Sequence, residues 1–333
     1  MDRAPLRIVA CDDARPLASG VATRLGSRVA AAHDVWFACG EGKYLVDENI
    51  RGTDVYLFQQ PIVPGSARSI YDRTMMVLHA IDALRHADAE RVTVILPYFP
   101  GGRQDKRRGR TREGVSTSLF ARMLQEAGAS MVITLEPHNE ALSGCFDPRA
   151  CVFEPLYVTH PFGQWLASEN LIGDVIASTD VGGLQRARRF AQLLSRDIVA
   201  LSKERNYSQP NSVDRSTVIG NVAGRSVTVV DDIVDTAGSA VAAIEALWAE
   251  GSTDITLATV HPILSGPAWE RLEAVHQRAV ARGVRFTVAG TASILHPSPP
   301  SWYRSCALDA LFAEVVRTVN ARGSVRDVTG EAY

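Results

Sequence analysis

The sequence predicts an α/β protein made of two similar domains, each a mostly parallel sheet flanked by helices. Short segments rich in Val, Ile and Thr alternate with amphipathic segments along the 333 residues, which is typical of parallel strands joined by crossover helices. The strand segments are almost continuously hydrophobic, as in sheets that are covered on both faces. Finally, a helix-and-strand unit at 80–98 aligns without a gap on 243–261, which indicates an internal duplication.

The individual elements follow from this pattern. The predicted strands are 6–11, 54–60, 91–98, 130–136, 174–179, 197–202, 226–232, 254–261 and 284–290. The clearest helices between them are 74–87 and 116–128, where apolar residues recur on one helical face. A chain of this length favours two hydrophobic cores over one, and we place the domains at 1–155 and 156–333.

Composition excludes several classes of protein. The hydrophobic content of 46% and charged content of 22% are those of a soluble globular protein, and no window approaches the roughly 18 uninterrupted apolar residues of a membrane helix. Aspartates near the N-terminus argue against a signal peptide. The five cysteines are scattered, without the spacing of a disulfide framework or a zinc site. A net charge of −2 argues against a nucleic-acid surface. We therefore expect a cytoplasmic protein that binds neither nucleic acid nor membrane.

The stretch VTVVDDIVDTAGSA (227–240) combines a buried strand with three carboxylates and a turn of small residues. A strand, a short turn and a helix bring backbone N–H groups and a helix N-terminus around one point, which suits a phosphate. Thr236 and Ser239 add hydroxyl donors, and Gly238 permits close approach of the backbone and unusual backbone dihedral angles. Asp231 and Asp232 are predicted to end the strand, at the edge where open α/β sheets bind ligands. Carboxylates repel phosphate but accept hydrogen bonds from hydroxyls, so the segment predicts a sugar-phosphate site.

The alternative interpretation is that these aspartates only cap a helix and form a turn. Their spacing at the end of a buried strand favours the ligand site. The first copy of the repeat ends its upstream strand on Gln59 and Gln60, so only the C-terminal half carries the carboxylates.

Several segments resemble one enzyme family. VVDDIVDTAGS resembles the phosphoribosyl-diphosphate (PRPP) binding loop of type I phosphoribosyltransferases and PRPP synthetases, and the remaining segments favour PRPP synthetase, also called ribose-phosphate diphosphokinase. The supporting motifs, in chain order, are FACGE (37–41), GRQDKRRGRTREGVST (102–117), TLEPHNEALSGCFD (134–147), STDVGGLQRARRFA (178–191) and LSKER (201–205). The similarity extends over nearly the whole chain.

The resemblance implies two type I phosphoribosyltransferase-like domains, the first contacting the nucleotide and the second carrying the ribose 5-phosphate loop. The implied reaction transfers the diphosphoryl group of ATP to the C1 hydroxyl of ribose 5-phosphate, giving PRPP and AMP, with Mg²⁺ as cofactor. Members of the family commonly assemble dimers into hexamers and share the adenine pocket between subunits. We therefore expect at least a dimer.

The resemblance also assigns site residues. The ATP-binding residues are Phe37, Cys39, Gly40, Glu41, Arg103, Gln104, Asp105, Lys106 and Arg107. The ribose 5-phosphate residues are Asp231, Asp232, Asp235, Thr236, Ala237, Gly238 and Ser239. Lys203 is the catalytic lysine, with Arg205 beside it, and His138 and Asp180 form the Mg²⁺ site. Without the resemblance, the basic run at 103–112 would be read as an ordinary solvated loop.

The sequence departs from the family at two functional positions. Cys39 replaces an aspartate of the adenine-contact motif, and Pro137 precedes the metal histidine. The C-terminal segment does not clearly keep the serines that the family uses in regulation by ADP and phosphate. These departures leave the nucleotide preference and the regulation open. Two alternative functions also remain: a phosphoribosyltransferase that uses PRPP, and a catalytically silent regulator associated with PRPP synthetase.

Overall fold

A computed structural model describes residues 4–107, 109–204 and 215–330, apart from the side chains of residues 203, 204, 215 and 216. The chain forms two compact units. Unit 1 comprises Met1–Tyr157 with Ala307–Tyr333, and unit 2 comprises Val158–Cys306.

Unit 1 is built on a five-stranded parallel sheet. Its elements up to residue 157 are β1 (Leu6–Ala10), α1 (Arg15–Arg24), β2 (Ala32–Trp36), β3 (Gly42–Val46), β4 (Asp54–Phe58), α2 (Ile70–His86), β5 (Arg91–Leu96), α3 (Ser116–Glu126), β6 (Met131–Leu135) and β7 (Val152–Leu156). The sheet order is β1-β4-β5-β6-β7, and β2 and β3 form a separate antiparallel hairpin.

Unit 2 is built on a seven-stranded sheet. Its elements are α4 (Thr159–Ser168), β8 (Val175–Ser178), α5 (Leu184–Leu194), β9 (Asp197–Glu204), β10 (Arg215–Ile219), β11 (Val227–Val234), α6 (Gly238–Ala249), β12 (Ile255–Pro262), α7 (Ala268–Arg282), β13 (Phe286–Thr291) and β14 (Tyr303–Cys306). The sheet order is β10-β9-β8-β11-β12-β13-β14. Neighbours are parallel except β9 and β10.

Each unit has its own hydrophobic core, because the central strands are apolar on both faces. Ile95 and Leu96 at the end of β5, for example, are both fully buried. In unit 2, Ala243 and Leu247 of α6 pack into a cluster with residues of β11 and β12. Burial of this apolar surface is the main driving force for both sheets.

The two units repeat one order of elements. In each, a strand and a helix are followed by an antiparallel hairpin, a strand, a helix and another strand. The helices α2 and α6 end at His86 and Ala249, which are equivalent positions in the repeat at 80–98 and 243–261. All nine predicted strands are present, and the predicted fold of two similar α/β domains is confirmed.

The C-terminal helices, α8 (Asp309–Asn320) and α9 (Val325–Thr329), belong to unit 1. The Arg24 Nε donates to the Asp309 carboxylate at 2.6 Å, and the ring of Phe312, which is fully buried, meets Phe58 edge-on. The sequence assigned these helices to the second domain. An amphipathic helix carries an apolar face but no local signal of which sheet it covers, so residues 307–333 were placed on the wrong side of the boundary.

Five strands, β2, β3, β7, β10 and β14, were not among those predicted. The first two contain polar residues and are mostly only partly buried, and β7 contains Pro155 at the sheet edge, so none of these three forms the apolar run typical of a central strand. Within the described residues, no helix combines the length and the hydrophobicity needed to cross a bilayer.

Candidate active site

The turn between β11 and α6 lies at the carboxyl edge of the sheet of unit 2. Strand β11 pairs with β8 only as far as Val230, but it pairs with β12 through Val234. Asp231 and Asp232 therefore lie within β11 and just beyond the end of β8, rather than at the end of β11 as predicted. This places the two carboxylates beside the gap left by the shorter strand, with Asp235 beginning the turn.

Two side chains hold the turn in place by donating hydrogen bonds to its oxygen atoms. The Ser265 hydroxyl donates to the Asp235 carboxylate, and Arg271 donates to the carbonyl oxygen of Thr236 at 2.8 Å. Ala237 has a left-handed backbone with φ of 61°, where the sequence suggested that Gly238 would provide the unusual conformation. The first N–H groups of any α-helix lack partners within that helix, and those of α6 begin at Gly238. The turn can therefore present backbone donors to an anion.

Asp231 and Asp232 differ in their surroundings, because successive side chains of a strand point to opposite faces. The Asp231 carboxylate accepts hydrogen bonds from Thr179 Oγ1 at 2.7 Å and from the backbone N–H of Asp232 at 2.9 Å. Burial, together with the charge of Asp232, raises the pKa of Asp231 to about 7. The Asp232 carboxylate lies 3.3 Å from the guanidinium of Arg186. A carboxyl group with a pKa near neutrality accepts hydrogen bonds from hydroxyls when it is ionised, and it can also donate one to a hydroxyl when it is protonated.

Asp180 follows β8 in the same unit. Its exposed carboxylate accepts a hydrogen bond from the backbone N–H of Gly183 at 3.0 Å, just before α5 begins. Its backbone carbonyl accepts from the hydroxyl of Ser178 at 2.7 Å. Asp180 therefore shapes the turn that precedes α5, and its carboxylate remains accessible to solvent.

The segment 37–41 forms the tip of the β2–β3 hairpin in unit 1. The backbone N–H of Phe37 donates to the carbonyl of Glu41 at 2.8 Å, and Gly40 completes the turn with φ of 94°, a conformation that favours glycine. The Phe37 ring is 48% exposed, with the Lys43 ammonium 5.6 Å from its centre. Cys39 is an exposed free thiol. The tip thus exposes an aromatic ring and the side chain of Glu41.

The basic segment begins on an anchored turn. Gly101 has φ of 70°, and a Cβ there would lie 2.7 Å from the Phe120 ring, so only glycine fits. The Ser116 hydroxyl donates to the side-chain oxygen of Gln104 at 2.5 Å, and the backbone N–H of Thr117 donates to the carbonyl of the same residue. Both ends of the intervening loop are thus held together at the start of α3. The predicted cations Arg103, Lys106 and Arg107 are exposed.

His138 lies exposed in the turn after β6. Its neighbour Asn139 donates a side-chain hydrogen bond to the Asp105 carboxylate, which links this turn to the basic segment within unit 1. The residue two positions before His138, Glu136, is buried and has φ of 32°, a strained backbone for a non-glycine residue. The Asn139–Asp105 contact brings together two motifs that are far apart in the chain.

Lys203 lies near the end of β9, paired in register with Ser216 of β10. Arg205 lies outside the described residues. His138 and Asp180 belong to different units. Among the residues that the structure describes, no three His, Cys, Asp or Glu side chains are arranged to hold a metal ion.

Thr179 and Arg186, which contact the two carboxylates of β11, were not predicted as site residues. Both lie within the segment 178–191 that carried part of the family resemblance, so the signal was present at the level of the motif. Ser265 and Arg271 carried no comparable signal in the sequence, because their contribution depends on how α7 packs beside the turn.

Comparison with known proteins gives one consistent result for both units. A sequence model for the N-terminal domain of ribose phosphate pyrophosphokinase matches residues 6–128, and a model for the phosphoribosyl transferase domain matches residues 164–275. A ribose-phosphate pyrophosphokinase of Wolinella succinogenes is 34% identical over 310 residues, covering 92% of this chain and 94% of that protein. One from Bacillus subtilis is 34% identical over 80% of this chain and 81% of its own length.

A solved structure agrees with the sequence matches. The phosphoribosylpyrophosphate synthetase of Mycobacterium smegmatis superposes with a TM-score of 0.82 at 28% identity, covering 96% of this chain and 100% of that chain. The similarity therefore extends over both units.

Proposed function

The chain belongs to the ribose-phosphate pyrophosphokinase family, and on this basis we propose that it transfers the diphosphoryl group of ATP to the C1 hydroxyl of ribose 5-phosphate, giving PRPP and AMP. The observation that carries the proposal is the β11–α6 turn, which combines a helix N-terminus with an adjacent pair of carboxylates. A sugar phosphate presents both an anion for the helix N-terminus and hydroxyls for the carboxylates.

In this proposal the turn positions the acceptor substrate. Residues 235–239 surround the 5-phosphate through backbone N–H groups and the hydroxyls of Thr236 and Ser239. Asp231 and Asp232 receive the ribose hydroxyls. The Thr179 hydroxyl, 2.7 Å from the Asp231 carboxylate, fixes the orientation of that group before the substrate arrives.

The nucleotide contacts come from unit 1. Phe37 and Arg103 contact adenine, Gln104 contacts the nucleotide, and the loop carrying Asp105, Lys106 and Arg107 closes over the phosphates. Gln104 anchors that loop to the start of α3, which supports this assignment. With its ends fixed, the exposed cationic segment can close over the phosphates in a defined position.

Catalysis of this reaction consists mainly of positioning and charge stabilisation. The oxygen of the C1 hydroxyl forms a bond with the β-phosphorus and loses its proton to solvent, the bond between that phosphorus and the α–β bridging oxygen breaks, and AMP leaves. Lys203 stabilises the negative charge that develops on the phosphoryl oxygens, and Arg205 supports it. The position of Lys203 near the end of β9, in the same sheet as β11, supports this role.

Mg²⁺ fits the chemistry of these residues in part. It prefers oxygen ligands, retains several waters and is often held by one or two carboxylates together with substrate phosphates. The exposed carboxylate of Asp180 suits such a site, and His138 would contribute an imidazole contact that is unusual for this ion. When bound, the ion neutralises charge on the phosphates of ATP.

Self-association completes the proposal. The exposed ring of Phe37 and the exposed segment around it provide one wall of an adenine site, so a second copy of the chain supplies the remainder. We propose at least a dimer, with a hexamer as the larger assembly.

Incubation of the chain with ATP, ribose 5-phosphate and Mg²⁺, followed by separation of the nucleotides, tests the proposed function. Formation of AMP and PRPP in equal amounts is expected. A phosphoribosyltransferase would form no AMP from ATP under these conditions but would consume PRPP in the presence of a base. A regulator without activity would do neither, and either result would overturn the proposal.

A further inference from the structure

The tip of the β2–β3 hairpin in unit 1 rests on a single strand pair. Trp36 of β2 lies opposite Gly42 of β3, and residues 37–41 between them form the tip. A hydrogen bond of 2.8 Å from the backbone N–H of Phe37 to the carbonyl of Glu41 closes it. A hairpin of two strands has little stability of its own, so the orientation of the tip depends on what the strand pair beneath it contacts.

The ring of Trp36 contacts three parts of unit 1. It packs against the hydrophobic core of the unit and is half-buried. A Cβ at Gly42 would lie 3.0 Å from this ring and 2.8 Å from the methyl group of Met76 in α2, so the glycine allows the ring and α2 to approach the hairpin closely. The guanidinium carbon of Arg68 lies over the ring, 4.0 Å from its centre.

The backbone of Arg68 is fixed where α2 begins. The next residue, Ser69, caps the helix: its hydroxyl accepts from the backbone N–H of Asp72 at 3.1 Å, and the Asp72 carboxylate accepts from the backbone N–H of Ser69 at 2.7 Å. The buried guanidinium of Arg73 donates to the carbonyl of Arg68. Its Nε donates to the carboxylate of Asp13 at 2.6 Å. Arg68 is therefore anchored both to α2 and to the turn after β1.

The charge of Arg68 gives this contact its direction. A cation is attracted to the face of an aromatic ring, most strongly to that of tryptophan, and a planar guanidinium can stack on the ring where an ammonium cannot. Lys43 over Phe37 and Arg282 over Trp248 lie farther from their ring centres, at 5.6 Å and 5.2 Å. Arg68 therefore connects an anchored backbone to the last strand pair of the hairpin.

We propose that Arg68 is a positioning residue for the nucleotide site. By stacking on Trp36 it fixes the hairpin tip and, through the tip, the orientation of Phe37 toward adenine. This inference rests on the proposed function, because it specifies how the adenine-contacting segment of that site is held. A fixed tip stabilises bound ATP equally before and during the transfer, so loss of the stack weakens ATP binding without slowing the chemical step.

Steady-state kinetics test the role of Arg68. Arg68→Ala should raise KM for ATP by about threefold or more, while kcat and KM for ribose 5-phosphate should stay within about 1.5-fold of wild type. Arg282→Ala is the matched control, because it removes a guanidinium from the Trp248 ring in unit 2 and should leave KM for ATP unchanged. An unchanged KM for ATP in Arg68→Ala, or a defect confined to kcat, would overturn the proposal.

A double variant distinguishes positioning from direct binding of the nucleotide. If Arg68 acts through the ring, Arg68→Ala should have no further effect on KM for ATP once Trp36→Leu has removed that ring. A full additional rise of about threefold would mean that the guanidinium contacts ATP itself, and would overturn the positioning role. Arg68→Lys keeps the charge but not the planar stack, so its KM for ATP should lie between those of wild type and Arg68→Ala.

Hydrogen exchange without nucleotide tests the same contact independently of turnover. The amides of residues 37–43 should exchange about threefold faster in Arg68→Ala than in wild type, and at the wild-type rate in Arg282→Ala. Unchanged exchange in Arg68→Ala would contradict the proposal, even if Trp36→Leu does not fold. A wild-type chain that forms no AMP would overturn the proposed function, whereas an active wild type with an Arg68→Ala variant of equal KM for ATP would overturn only this inference.

Discussion

The two units lead from a strand into a helix in the same way but present different groups at the turn. In unit 2, Asp231 and Asp232 lie within β11 just beyond the end of β8, and burial together with the charge of Asp232 raises the pKa of Asp231 to about 7. In unit 1 the equivalent residues are Gln59 and Gln60. The amide of Gln59 donates to the carbonyl of Arg73 at 2.9 Å and accepts from the backbone N–H of Gln60 at 2.8 Å. The Gln59 amide thus contacts α2, whereas our proposal gives the carboxylates of unit 2 to the ribose hydroxyls.

The antiparallel strand pairs of the two units also carry different side chains. The β2–β3 tip in unit 1 carries Phe37 and Glu41, and the β9–β10 pair in unit 2 carries Lys203 near its end. In our proposal, the aromatic ring of Phe37 contacts the base and the cation Lys203 stabilises phosphoryl charge. The duplicated fold provides equivalent positions, and the side chains at those positions decide the chemistry.

The largest effect is expected from Lys203→Ala. A cation that stabilises charge developing in the transition state contributes mainly to kcat, and loss of one such group costs on the order of 100-fold or more. Steady-state kinetics with ATP and ribose 5-phosphate should show a fall in kcat with little change in KM for ATP. A defect confined to KM would make Lys203 a substrate-binding residue.

Gly238→Ala should separate binding from folding at the β11–α6 turn. A Cβ at this position would meet only the Arg271 guanidinium, at 3.5 Å, so thermal unfolding should be unchanged or occur at slightly higher temperature. The methyl group would lie where the phosphate approaches, and KM for ribose 5-phosphate should rise by about tenfold, or roughly 1.4 kcal/mol. Gly144→Ala, which also meets no close neighbour, serves as the control. An unchanged KM for ribose 5-phosphate would contradict the assignment of its phosphate to this turn.

The substitution Asp231→Asn should lower activity and raise the free energy of unfolding. Because the folded-state pKa is raised from 3.8 to about 7, ionisation costs more in the folded chain than in the unfolded chain. The contribution of protonated Asp231 to the free energy of unfolding is fully present below about pH 4 and is lost progressively as the pH rises to about 7. The asparagine removes that loss, so urea unfolding at about pH 8 should show a gain of about 1 kcal/mol or more, and a smaller gain at about pH 5. A variant that is less stable than wild type at the higher pH would contradict this account of the site.

The smallest effect is expected at the nucleotide end. Cys39 replaces a carboxylate that could accept from the 6-amino group of adenine, and a thiol is a weak acceptor. We expect poor discrimination between ATP and GTP in wild type and an improvement of several-fold in Cys39→Asp. Competition between the two nucleotides measures the ratio. If the wild-type protein rejects GTP as strongly as Cys39→Asp does, a group other than residue 39 accepts the hydrogen bond from the 6-amino group of adenine.

The fold was largely predictable because its central strands are short apolar runs of β-branched, aromatic and other hydrophobic residues. Residues 54–60 and 226–232, for example, were identified from composition alone. The C-terminal helices were misassigned because Phe312 and Asn320 reveal their partners only in three dimensions. The β2–β3 hairpin was missed because its strands are half exposed.

The candidate site was predictable only where one motif contained its own chemistry. The segment 231–239 was predicted as a unit from its own residues, but its left-handed backbone position is Ala237 instead of Gly238. The Asn139–Asp105 contact joins residues from separate motifs, and no spacing in the sequence indicates it. The surroundings that raise the pKa of Asp231 depend on Thr179 and on burial, which likewise appear only in the folded chain.

The most direct test of the division between the units is calorimetric titration of ribose 5-phosphate into two paired variants. Asp231→Asn with Asp232→Asn changes unit 2, and Gln59→Ala with Gln60→Ala changes the equivalent positions of unit 1, with unfolding curves confirming that both fold. The first pair should weaken ribose 5-phosphate binding by about tenfold or more, and the second should leave it within about threefold of wild type. Retained binding in the aspartate variant, or its loss in the glutamine variant, would contradict the assignment of the sugar phosphate to unit 2.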